Sequence, residues 1–97
     1  MPGIEKKELK SAAKVLRAIT HPLRLQILDF IANNEPVNVT AIYKTLNLEQ
    51  SVTSSHLSIL RQDGFLITNR EGKKIYYSVN VERIEHVLNS IKSYFLE

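Results

Sequence analysis

The chain has 97 residues, enough for one small domain, with the 43% hydrophobic and 24% charged content usual in a soluble globular protein. Thirteen basic residues against ten acidic ones leave a net charge of +3, which admits a polyanion partner without demanding one. There is no cysteine, which excludes disulfides, thiolate metal sites, iron–sulfur clusters and thiol redox sensing. The first ten residues have no apolar core, so no secretory signal is expected. No apolar run approaches the roughly 18 residues needed to cross a bilayer, so the expected location is the cytoplasm.

Residues 4–19 carry a helical pattern, with Leu9, Ala12, Ala13, Leu16 and Ile19 at three- and four-residue spacing. Pro22 marks a new start, since proline suits the first turn of a helix, and Thr20 or His21 stands where a cap belongs. This second helix is expected over 22–33, with Leu23, Ile27, Leu28 and Ile31 inward. Residues 37–39 read as a short extended link. Thr40 stands at an N-cap position, followed by a short third helix over 41–46 with Ile42 and Leu46 inward. Asn47 tolerates a left-handed backbone and is placed to make the turn.

A fourth helix follows from about 50 to 63, with Leu57 and Leu60 inward and Gly64 as its stop. Its first part is dense in groups that bond bases and phosphates but carry little charge: Gln50, Ser51, Thr53, Ser54, Ser55 and His56. That is the chemistry of a helix that reads the major groove, although a solvated helix start would look the same in isolation. The period then changes to extended. Residues 65–70 and 74–79 read as two strands, joined by a tight turn at 71–73 in which Gly72 supplies the positive φ. A last helix spans 81–95, with Ile84, Val87, Leu88, Ile91 and Phe95 in a wide apolar stripe. The expected architecture is mainly α with a small β-hairpin, in the order α-α-α-α-β-β-α, as one domain over 1–97.

Four segments together resemble the ArsR-type (ArsR/SmtB) winged helix-turn-helix regulators. THPLRLQIL at 20–28 is similar to that family's DPTRLRIL opening. LEQSVTSSHL at 48–57 is similar to its LSQSTVSHHL reading helix, without a gap. LRQDGFL at 60–66 resembles LREAGLV, and REGKKIYY at 70–77 resembles the REGRxVYY wing. The resemblance covers about residues 12–80, and its strength lies in four weak pieces arriving in order at the family's spacing. Two departures stand out. Val52 precedes Thr53 where the family has a polar residue and then a small or β-branched apolar one; Thr53 can still pack its methyl, and the exchange implies a slightly rotated helix or an altered base preference. His21 replaces the usual capping aspartate.

The resemblance implies a transcriptional regulator and no enzymatic activity. It binds a near-palindromic stretch of double-stranded DNA as a homodimer, and repression is the expected outcome. Gln50, Ser51, Thr53, Ser54 and Ser55 would face the DNA from the reading helix. Thr40 and Lys44 belong to the preceding helix, which crosses the phosphate backbone in this docking mode, and Lys44 is either a phosphate contact or an ordinary surface lysine. Arg70, Lys73 and Lys74 surround the wing tip, where Glu71 weakens the patch. Arg24 is expected to pair with a carboxylate, Arg61 to complement a helix dipole, and Tyr76 and Tyr77 to pack the wing on the body. The family's two-fold interface implies that Leu9, Leu16, Ile84, Val87, Leu88, Ile91 and Phe95 meet a second copy. Its metal sites fall here on Asn38 and Thr40, and on Val81, Arg83, Tyr94 and Glu97, sets that lack most of the needed ligands. No metal or cofactor is therefore expected, and the effector is left open. Two rival readings remain: a winged-helix protein-interaction module without DNA binding, and a metal sensor with a non-standard site around His86, Glu82 and Glu85.

Overall fold

The computed structural model describes residue 16 and residues 20–95, with side chains described up to residue 90. The expected first helix, apart from Leu16, lies outside these residues, as do Leu9 and the side chains of Ile91, Tyr94 and Phe95. Helix α1 is Pro22–Asn34. It begins where proline was expected to start it, because His21 accepts the Leu23 backbone N–H on its Nδ1 at 3.2 Å. Thr20 turns the other way and donates its hydroxyl to the Leu16 carbonyl at 2.6 Å. Ile27, Leu28 and Ile31 are buried, and Leu23 packs at the edge of the same cluster.

Strand β1, Val37–Asn38, replaces the expected extended link. It pairs antiparallel with β3 (Lys74–Val79), which in turn pairs with β2 (Leu66–Glu71); Val37 lies opposite Tyr77 and Asn38 opposite Tyr76. The sheet is thus three-stranded in the order β1-β3-β2, not the bare hairpin that the sequence suggested. Helix α2, Val39–Thr45, starts one residue earlier than its expected cap. Asn38, not Thr40, accepts the Ala41 N–H at 2.9 Å. Asn is the better cap, its carbonyl oxygen fixed at the right reach. Asn47 takes the left-handed conformation at φ 55° and turns the chain into the next helix.

Helix α3 is Gln50–Gln62. Its end is a two-bond left-handed cap: the Phe65 N–H reaches the Leu60 carbonyl at 2.9 Å and the Gly64 N–H reaches Arg61 at 3.0 Å. Gly64 sits at φ +85°, where a side chain would be strained. Leu60 and Phe65, the two ends of this cap, are both fully buried. Strands β2, Leu66–Glu71, and β3, Lys74–Val79, pair from Leu66 opposite Val79 to Glu71 opposite Lys74. Gly72 turns between them at φ 62°.

Helix α4 is Val81–Phe95. Asn80 caps it, accepting the Arg83 N–H at 3.3 Å, while its side-chain amide donates to the Gly64 carbonyl at 3.0 Å. One residue therefore joins the start of α4 to the end of α3. Val87 is buried within its own protomer and belongs to the core cluster. Ile84 is half-buried against that core, and Leu88 is exposed at 47%.

Candidate nucleic-acid interface

The phase of α3 decides which side chains face outward. Thr53, Leu57 and Leu60 are buried on one side at helical spacing, so Gln50, Ser51, Ser54 and Ser55 are exposed on the other. This corrects one expected contact. Thr53 has no exposed surface, and its hydroxyl donates to the Glu49 carbonyl at 3.0 Å. The Val52–Thr53 exchange leaves the helix unrotated: the threonine methyl takes the inward position and Val52 is the exposed member of the pair at 37%. An intrahelical bond lets a buried hydroxyl sit in an apolar core at little cost.

The exposed face is short, polar and free of acidic residues from Gln50 to Ser55. Ser55 donates to the Ser51 carbonyl at 3.0 Å, which leaves its oxygen lone pairs as the outward groups. In that rotamer Ser55 presents an acceptor, suited to a base amino group. Gln50 offers both donor and acceptor in one plane, the pairing that matches adenine.

A groove of about 480 Å³ lies between α2 and the wing. It is lined by Asn38, Thr40 and Lys44 on one wall and by Lys73, Lys74, Ile75 and Tyr77 on the other. Sequence reasoning had placed Thr40, Lys44, Lys73 and Lys74 in two separate groups; the β1–β3 pairing brings them to one basic surface. Three lysines along an open groove suit a phosphate backbone, whose charge is spread along a line. Arg70 is exposed but folded over the turn, its Nε donating to the Gly72 carbonyl at 3.2 Å. Glu71 lies directly opposite Lys74 in the register, which moderates the charge at the tip.

Three side-chain contacts, two of them on α3, carry no local signal in the sequence. Arg24 donates its Nε to His56 Nδ1 at 3.2 Å. Arg83 donates its Nε to the Asp63 carbonyl at 3.1 Å and sits 5.8 Å from the centre of the Phe65 ring. Glu35 accepts the Val79 N–H at 2.7 Å and closes the end of β3. Among the described residues, no group of three or more His, Cys, Asp or Glu side chains is placed to hold a metal ion. No helix among them is long and apolar enough to cross a membrane.

The family described as "Bacterial regulatory protein, arsR family" matches residues 21–68, which runs from the cap of α1 through α3 into β2. The transcriptional repressor PagR of Bacillus anthracis is 38% identical over 85 residues, covering 88% of this chain and 85% of that protein. The crystal structure of NolR from Sinorhizobium fredii superposes with a TM-score of 0.77 at 32% identity, covering 98% of this chain and 97% of that one. The homodimeric winged helix-turn-helix DNA-binding domain Mb0332 from Mycobacterium bovis superposes at 0.71 with 28% identity, covering 100% and 94%. An outward polar face on α3, a lysine-lined groove between α2 and the wing, and this degree of likeness agree: the chain belongs to the arsR family of bacterial regulatory proteins, and is a winged helix-turn-helix, DNA-binding transcriptional regulator rather than an enzyme.

Proposed function

We propose that this regulator is a cytoplasmic repressor, with residues 1–97 forming a single DNA-binding and dimerisation domain that grips a near-palindromic operator as a homodimer. The observation that carries the reading is the pairing of an uncharged polar face on α3 with the lysine groove between α2 and the wing. Gln50, Ser51, Ser54 and Ser55 read base edges in the major groove. Thr40, Lys44, Arg70, Lys73 and Lys74 hold phosphates and set the register without reading sequence. Repression follows when the bound dimer covers the promoter, in keeping with the PagR likeness.

The two-fold interface uses the last helix together with the segment before residue 20. Leu88 is its exposed apolar contribution among the described side chains, with Ile84 at the margin. Leu9, Leu16, Ile91 and Phe95 extend it. A dimer of this kind sets two reading helices about one DNA turn apart, roughly 34–36 Å. The homodimeric Mb0332 domain supports this arrangement.

The test is selection of tight binders from random duplex DNA by the purified protein, followed by titration of the recovered site at two salt concentrations. A recovered inverted repeat with salt-sensitive affinity is the expected result. Recovery of no sequence, or affinity indifferent to salt, would sink the DNA assignment of these residues. Sedimentation of Leu88→Glu checks the interface: a shift to monomer mass is expected, and an unchanged mass refutes it.

A further inference from the structure

His56 is the one titratable side chain on the buried half of α3, one residue after Ser55 and two after Ser54. It is tied to α1 in two ways. Its Nδ1 accepts the Arg24 Nε–H at 3.2 Å, and its ring lies 4.8 Å, centre to centre, from that of His21 at a tilt of 57°. His21 is itself an acceptor at Nδ1, where it caps α1 through the Leu23 N–H. The His56 Nδ1 is thus a lone-pair acceptor, which requires the neutral ring with its hydrogen on Nε2.

We propose that His56 is a positioning residue for DNA reading: its neutral ring, held by Arg24 and set against His21, fixes the rotation of α3 on α1, and protonation at Nδ1 releases that hold and lowers sequence discrimination. The inference rests on the assignment of α3 as the helix that enters the major groove. The proton added to Nδ1 occupies the lone pair that Arg24 uses, so the guanidinium N–H loses its acceptor and faces a second cation. Because α3 is a rigid helix, a turn of the His56 position carries Ser51, Ser54 and Ser55 with it.

The surrounding charges favour this response. Among the described residues, the elements packed on α3 carry His21, Arg24 and Asp29 (α1 and its cap), Lys44 (α2), and Arg70 and Glu71 (β2); of these, His21 and Arg24 act on the His56 ring. Burial first, then the fields of His21 and Arg24, hold the His56 ring below the ordinary histidine range. A base whose folded value is depressed stabilises the fold fully above its unfolded value, about 6.5. That contribution is lost as the pH falls toward the depressed value. Acidification also adds positive charge, which strengthens binding to any DNA. Specific and random affinities should therefore part company: random binding holds or rises while the advantage of the cognate site shrinks.

The experiment uses the full chain with two duplexes of equal length at constant ionic strength, one carrying the site recovered by selection and one of random sequence. The ratio of the two affinities is followed from about pH 8 to about pH 5. For the wild type it should fall, by up to about tenfold per pH unit in the titration window. His56→Asn keeps an acceptor oxygen near the place of Nδ1 but cannot titrate, so its ratio should stay high and flat. His56→Leu should be low at every pH. A flat wild-type ratio, or a His56→Asn profile that follows the wild type, overturns the proposal. Imidazole nitrogen NMR on the free protein separates this from failure of the DNA assignment. An Nε2–H tautomer for His56 with a depressed titration is expected; an Nδ1–H tautomer or an ordinary titration overturns the proposal whether or not any duplex binds. Absence of binding to every duplex at every pH, with the expected NMR result, counts against the DNA assignment alone and leaves the hold on α3 established.

Discussion

Helix α3 and the wing both face the proposed DNA surface, yet they are held in different ways. Helix α3 buries Thr53, Leu57 and Leu60, is tied to α1 through Arg24 and His56, and is closed at its end by Gly64, Asn80 and Arg83. The wing is anchored at its base, where Leu66 is buried and Val79 and Tyr77 pack on the core. From Arg70 to Ile75 every residue is exposed. The contrast separates two tasks. Reading a base edge needs a side chain placed within a few tenths of an ångström, because hydrogen bonds weaken steeply with misalignment. Attracting a phosphate needs charge at roughly the right place, since the Coulomb field falls slowly with distance. A rigid element carries the first task and an exposed hairpin suffices for the second.

Substitutions can break this contrast or sharpen it. The largest effect is expected from Leu60→Ala, which empties a fully buried position under α3 and should cost about 2–5 kcal/mol in urea unfolding. Ile75→Ala on the half-exposed wing should stay within about 0.5 kcal/mol in the same assay, and equal losses would contradict the difference in anchoring. Next, Gln50→Ala and Ser54→Ala should each reduce discrimination by about 1–3 kcal/mol at one base position, seen as a relaxed consensus in repeated selection. Asn80→Ala removes the cap of α4 and the tie to Gly64, with an expected loss of about 0.5–2 kcal/mol in stability. Lys73→Ala should have the smallest and most even effect, weakening cognate and random DNA alike and lowering the salt slope by about one phosphate contact. A Lys73→Ala effect confined to the cognate site would move the wing into the reading role.

The expected contact at Thr53 shows why the reading face was partly misjudged. Val52 and Thr53 are adjacent, of similar size and both β-branched, and a shift of one residue turns the helix by about 100°. Leu57 and Leu60 set the phase, but a threonine is not an obvious core residue until its hydroxyl is seen bonded to the Glu49 carbonyl. Val87 shows a second limit of reading a face from its pattern. A stripe on α4 looked wide enough for an interface, yet part of it serves the protomer's own core.

Local chemistry alone determined most of the helices, the turns and the wing. Proline at the start of α1, asparagine and two glycines at the left-handed positions, and the change from helical to alternating period are all signals within a few residues. The polar run at the start of α3 was equally plain. Tertiary structure decided what depends on partners distant in the chain. Two residues at Val37–Asn38 are a strand because Tyr76 and Tyr77 lie across from them, and that pairing gathers Lys44, Lys73 and Lys74 around one groove. Arg24 meets His56 across 32 positions of sequence. Periodicity reports which face of an element is apolar; the side chain opposite a given residue follows from how the elements pack, and that packing places the reading face and holds it still.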